Sequence, residues 1–123
     1  MLLKAKIDCE GRKIGVYISH FGLSDAERVN AAELVLTEIG KEKDPAIFMG
    51  DLNMTPDDPL IKRLCSVLTD TAMGQVYRTH HALSLNEKID YIFVKGGFEV
   101  KKTFAPYTQA SDHLPVIADV RLL

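Results

Sequence analysis

Three runs of the chain are apolar at nearly every position, and they organise what lies between them. Ala46-Ile-Phe-Met49, opened by Pro45, predicts a strand buried on both faces. Ile14-Gly-Val-Tyr-Ile18 has the same character and ends on Ser19-His20, while Lys88-Ile-Asp-Tyr-Ile-Phe-Val94 predicts a third strand. Leu2 to Cys9 and Lys13 to Ser19 flank the compact turn Glu10-Gly-Arg12, which predicts an opening antiparallel hairpin. Ser24-Asp-Ala-Glu27 has the spacing of a capping box, with a helix running to about Ile39 behind it. Val29, Ala32, Leu36 and Ile39 would share its apolar face and Gly40 would end it.

Downstream, Thr55-Pro-Asp-Asp-Pro59 predicts a second helix capped by Asp57 or Asp58, with Pro59 at its first position and Leu60, Ile61, Leu64 and Val67 as its apolar residues. From Thr69 to Glu87 the pattern is irregular, a loop with at most a short strand. Gly96-Gly97 turns the third strand into another over Phe98 to Phe104, and Val116 to Leu122 closes the chain with Val116, Ala118, Val120 and Leu122 on one face.

At 123 residues the chain is long enough for one domain, residues 1–123, and too short for two. Its 46% hydrophobic and 26% charged content has no shift that would mark a linker. A net charge of −2 and a pI near 6.1 lack the basic excess of a duplex binder, which disfavours nucleic acid and leaves small phosphoesters open. Cys9 and Cys65 have no metal-type spacing, so reduced thiols and a cytoplasmic location are expected. The start reads as a strand rather than a signal peptide, and no run is long enough to span a membrane.

Chemistry gathers where strands stop. Gly50 lets the backbone turn after Met49, leaving Asp51 and Asn53 at the carboxyl end of the central strand, a usual ligand position in open α/β sheets. A plain turn accounts for Gly-Asp-Leu-Asn equally well. His20 ends another strand, and Asp112 and His113 sit in a loop before the last one. Asp90 lies between Ile89 and Tyr91 in an apolar strand and needs a partner, structural or catalytic, because an unpaired buried charge is very costly. His80 and His81 read as an exposed loop, Asp57 and Asp58 as caps, and Lys41 to Lys43 and Lys101-Lys102 as solvated charge. Thr79 reads as structural and Tyr91 as core.

The order Ser-His20, Gly-Asp51-Leu-Asn53, Lys-Ile-Asp90-Tyr and Ser-Asp112-His113-Leu-Pro115 resembles the endonuclease/exonuclease/phosphatase superfamily of deoxyribonuclease I-like, metal-dependent phosphoesterases. The resemblance runs along essentially the whole chain but matches only the carboxyl-terminal half of the family domain. It implies that Asp51 orients or deprotonates the attacking water with Asn53 beside it, and that His113 contacts the scissile phosphate while Asp90 sets its tautomer and favours its cation. Asp112 would serve the leaving oxygen and His20 would be a further phosphate ligand. Mg²⁺ or Mn²⁺ is the implied cofactor, with Asp51, Asn53 and Asp112 as its ligands, since oxygen donors suit hard cations. Nothing before His20 matches the family's amino-terminal asparagine or its principal glutamate ligand, so the metal site would be incomplete.

The resemblance also implies an α+β fold, half of a four-layer α/β/β/α sandwich: one mixed, mainly antiparallel sheet with helices on its outer face. The chain would then be a single truncated domain with an uncovered apolar sheet face. Such a face predicts association, and a homodimer paired sheet to sheet is the expected partner beside a phosphate-ester substrate. The alternative is an inactive half-domain that folds by pairing with itself or with a missing amino-terminal half.

Overall fold

The computed structural model describes residues 1–73, 75, 78–80 and 87–123. Strands β1 (Leu2–Cys9) and β2 (Arg12–Ser19) form the opening hairpin, joined through Glu10 at φ +54° and Gly11 at φ +84°. Positive φ at both turn residues gives the twist that a two-residue hairpin connection needs. Helix α1 (Asp25–Lys41) then carries the chain across to β3 (Ala46–Asp51), which pairs parallel with β2. β3 pairs antiparallel with β5 (Asp90–Lys95), whose far edge takes the short β4 (Thr69–Asp70). The sheet order is β1-β2-β3-β5-β4. Helix α2 (Pro59–Cys65) links β3 to β4.

The last two strands depart from the single sheet expected. Among the described residues, β6 (Phe98–Phe104) and β7 (Ile117–Leu122) pair only with each other and form a second, two-stranded sheet. Gly96, at φ +87°, supplies the turn that takes the chain out of the first sheet. The small sheet is tied back by the Thr103 hydroxyl, which donates to the Thr71 carbonyl at 2.8 Å, and by Arg12, which donates to the Leu123 carbonyl. The architecture is α+β: a mixed five-stranded sheet, a second small sheet and two helices, consistent with half of the four-layer sandwich.

Both helices begin as their sequences dictate. Ser24 and Glu27 form a reciprocal capping box on α1, and Asp58 caps α2 through the Leu60 amide with Pro59 following. Three expectations fail locally. Helix α1 runs through Gly40 to Lys41 and is capped by Glu42, whose amide donates to the Ile39 carbonyl. The side chain of Glu42 is held there by Lys6 and Tyr17, so tertiary contacts override the glycine stop. The helix seals itself through Ala32, Val35 and Ile39; Leu36 is only half-buried and Val29 is exposed. Val67 likewise lies beyond α2 and is exposed.

The core sits between the five-stranded sheet and the helices, where Tyr17, Phe48, Tyr91 and Phe93 pack with Val35, Ile39, Ile61 and Leu64. Phe48, Phe93 and Tyr91 stack in sequence at centroid distances of 5.9 and 5.4 Å. The opposite face is less covered. Leu3, Ile7 and Ile18 are exposed at 60%, 49% and 41%, although their neighbours Ile14 and Val16 are buried. Among the described residues, no helix is long and apolar enough to cross a membrane.

Candidate active site at the rim of the sheet

Strand pairing builds one rim from residues far apart in sequence. Because β2 and β3 run parallel with Ile18 opposite Met49, His20 and Asp51 emerge side by side. Gly50 makes this approach possible: at φ +155°, a β-carbon there would stand 1.8 Å from the Ser19 carbonyl oxygen. The Phe21 amide then donates to the Asp51 carbonyl at 2.9 Å, locking the two strand ends together. From the other side, β5 begins antiparallel to β3 with Asp90 directly opposite Asp51. Strand alternation places both carboxylates on the face that carries Ile47, Met49, Ile92 and Val94.

Asn53 adopts φ +52°, and its amide donates to Asp51 Oδ1 at 2.9 Å in an Asx-type turn. Its side-chain nitrogen donates to the Phe21 carbonyl at 2.7 Å, which leaves Oδ1 for an outside ligand. The turn reading and the site reading thus coexist, since the turn is what presents Asp51.

The carboxyl-terminal loop is brought in by a short backbone relay. The Leu114 amide donates to the Thr79 carbonyl at 2.7 Å, and His80 bridges both Glu87 and His113. His113 Nδ1 consequently lies 2.8 Å from Asp90 Oδ2, and its Nε2 lies 3.7 Å from Asp51 Oδ2. The hydroxyl of Thr79, fully buried, donates to the same Asp90 oxygen at 2.6 Å. Asp90 therefore has the partners its apolar strand demands. Burial of the His113 ring works to lower its pKa, but the Asp90 hydrogen bond and the charges of Asp90, Asp51 and Asp112 outweigh it, and the pKa is raised.

His20 stands 74% exposed with Nε2 3.4 Å from Asp51 Oδ2, so it is placed beside the cluster rather than within it. Asp112 is exposed, and its carboxylate is 3.9 Å from His80 Nε2. Among the described residues, two groups of three side chains bring their ligand atoms within 4.8 Å of one another: Asp51, Asp90 and His113, and His80, Asp112 and His113. Asp51 and Asp112, expected to share a cation, fall in different groups. For a hard cation, Asp51 and Asn53 Oδ1 fit by chemistry and supply part of a six-oxygen shell.

Several residues here escaped the sequence reading. His80 is half-buried rather than exposed, its ring 4.6 Å from that of His113 and its Nδ1 3.5 Å from Glu87; His81 lies outside the described residues. Thr79, read as structural, touches Asp90 directly. Arg28, on α1, lines a cleft of about 390 Å³ together with Asn53, Met54, His80, Glu87 and His113. No local signal marks these residues, because each acquires its role from a partner remote in sequence.

The profile of the Endonuclease/Exonuclease/phosphatase family matches residues 5–113. No curated protein matches the chain by sequence. Among solved structures, an endonuclease/exonuclease/phosphatase from Bacteroides vulgatus is 26% identical with a TM-score of 0.84, over 99% of this chain and 54% of its own. A mannosyl-6-phosphatase from Bacteroides thetaiotaomicron is 26% identical with a TM-score of 0.70, over 92% of this chain and 53% of its own. The human Nocturnin catalytic domain, crystallised with bound sulfate, shares the fold at 17% identity and a TM-score of 0.78, over 99% of this chain and 53% of its own. The chain spans about half the length of these relatives.

Proposed function

Because the chain belongs to the Endonuclease/Exonuclease/phosphatase family, matched from residue 5 to residue 113, we propose that it hydrolyses a P–O bond of a phosphodiester or phosphomonoester at the Asp51–Asp90–His113 rim. The observation that carries this reading is the hydrogen-bonded series Thr79–Asp90–His113, which aims the imidazole Nε2 toward Asp51. Asp90 fixes the His113 tautomer with Nδ1 protonated and favours its cation, which suits an anionic phosphoryl group. In this reading Asp51 takes a proton from water as the water oxygen bonds to phosphorus. The ester P–O bond breaks, and the leaving oxygen departs past Asp112 and gains its proton there or from solvent. Asn53 orients the water from beside Asp51, His20 contacts the phosphate, and Arg28 contributes positive charge to it.

Mg²⁺ or Mn²⁺ suits the oxygen donors of Asp51 and Asn53, and when bound it would neutralise charge on the phosphoryl oxygens. The experiment is hydrolysis of a chromogenic phosphodiester by the 123-residue chain with either ion. Asp51→Ala should lower the rate by roughly 10²–10⁴-fold while leaving the thermal melt intact. Equal rates in parent and variant would overturn the assignment. The exposed Leu3, Ile7 and Ile18 on the open face of the sheet support a sheet-to-sheet homodimer as the working form. A scattering mass that stays monomeric at high concentration would remove that part.

A further inference from the structure

His80 is not used by the hydrolytic reading, yet like His113 it has a carboxylate beside its ring. Each imidazole has Nδ1 directed at a carboxylate: Asp90 at 2.8 Å for His113, Glu87 at 3.5 Å for His80. His113 Nε2 is turned toward Asp51, at 3.7 Å, and the two rings lie 4.6 Å apart. Asp112 completes the group, with Oδ2 3.9 Å from His80 Nε2. A carboxylate behind each imidazole is the arrangement that orients metal-ligating histidines and raises their basicity.

The geometry points to a site for a borderline divalent ion of the Zn²⁺ class, and we propose that His80, Asp112 and His113 bind such an ion through two imidazole nitrogens and one carboxylate. Bonds of about 2.0–2.1 Å set tetrahedral ligand atoms roughly 3.4 Å apart, so the present group, within 4.8 Å, must draw in. The exposed Asp112 side chain can supply that movement by rotating toward the rings. The donor set selects against Mg²⁺, which prefers oxygen ligands and octahedral geometry, and favours Zn²⁺, Ni²⁺ or Co²⁺. Occupation would also cover His113 Nε2 and so block its phosphate contact; that consequence rests on the hydrolytic reading, whereas the binding does not.

The test is calorimetric titration of Zn²⁺ into the full chain with Cys9→Ser and Cys65→Ser, because both thiols are exposed and would bind the metal themselves. Excess Mg²⁺ is present throughout. One ion per chain is expected, with Co²⁺ giving the visible bands of a low-coordinate site. His80→Phe, which keeps a ring against His113, should weaken Zn²⁺ by at least tenfold. A second readout needs no variant: imidazole proton resonances of His80 and His113 should shift together on Zn²⁺ addition. Unchanged affinity in His80→Phe, or shifts confined to other residues, would overturn the proposal. Both readouts are independent of whether the chain hydrolyses anything.

Discussion

Two carboxylate–cation pairs meet at the start of β5, and they differ in every respect that matters for function. Lys88 and Asp70 are 2.7 Å apart with side-chain exposures of 4% and 18%, and the ammonium lies 4.8 Å above the Tyr91 ring. That pair is matched one to one and closed by packing. His113 and Asp90, two residues along, are equally close at 2.8 Å but remain open on the outer side of the ring. Three carboxylates converge on the single imidazole, and its second nitrogen is turned toward Asp51. A closed pair holds the strand in place, whereas an open one with surplus negative charge leaves its imidazole accessible from outside.

Substitution separates the two. Asp90→Asn should cost hydrolysis on the order of 10⁴-fold, because the amide no longer enforces the ring's tautomer, while urea unfolding changes little. A variant that lost stability instead would make Asp90 another Lys88-type anchor. Next in size, Lys88→Ala should lower unfolding free energy by about 3–5 kcal/mol, since it strands Asp70 without a counter-charge. Replacing both partners, as Lys88→Met with Asp70→Leu, should recover most of that loss. If Lys88→Ala left stability untouched, the pair would not be closed in solution.

The smallest effect is on pH. The folded pKa of His113 is raised above its ordinary value of 6.5. Its contribution to stability is therefore complete below that value and is lost as pH rises through the folded pKa. Urea midpoints of the metal-free chain should decline across that alkaline window and flatten in Asp90→Asn. A parent chain whose midpoint rose with pH there would contradict the sign.

Whatever a residue shares with its immediate neighbours was legible in the sequence. The capping box at Ser24, the Asp58–Pro59 helix start and the strands ending at His20 and Asp51 are local patterns, and the family resemblance supplied their common address. What needed a remote partner was not. Glu42 displaced Gly40 as the end of α1 because Lys6 and Tyr17 reach it from the hairpin. Thr79 and His80 gained roles from Asp90 and His113 across an irregular stretch, and no periodicity announces such contacts. The separate β6–β7 sheet was hidden for a similar reason: a glycine turn shows that the chain reverses, not the plane into which it reverses.

The parallel pairing of β2 with β3 also sets a timetable for folding. The β1–β2 hairpin is local and can close within about 1–10 μs, whereas the β2–β3 and β3–β5 pairings span α1 and α2 and close longer loops. The Asp90–His113 contact closes over 23 residues, a shorter loop than the β2–β3 or β3–β5 pairing requires, so loop closure alone does not make the rim wait for the sheet.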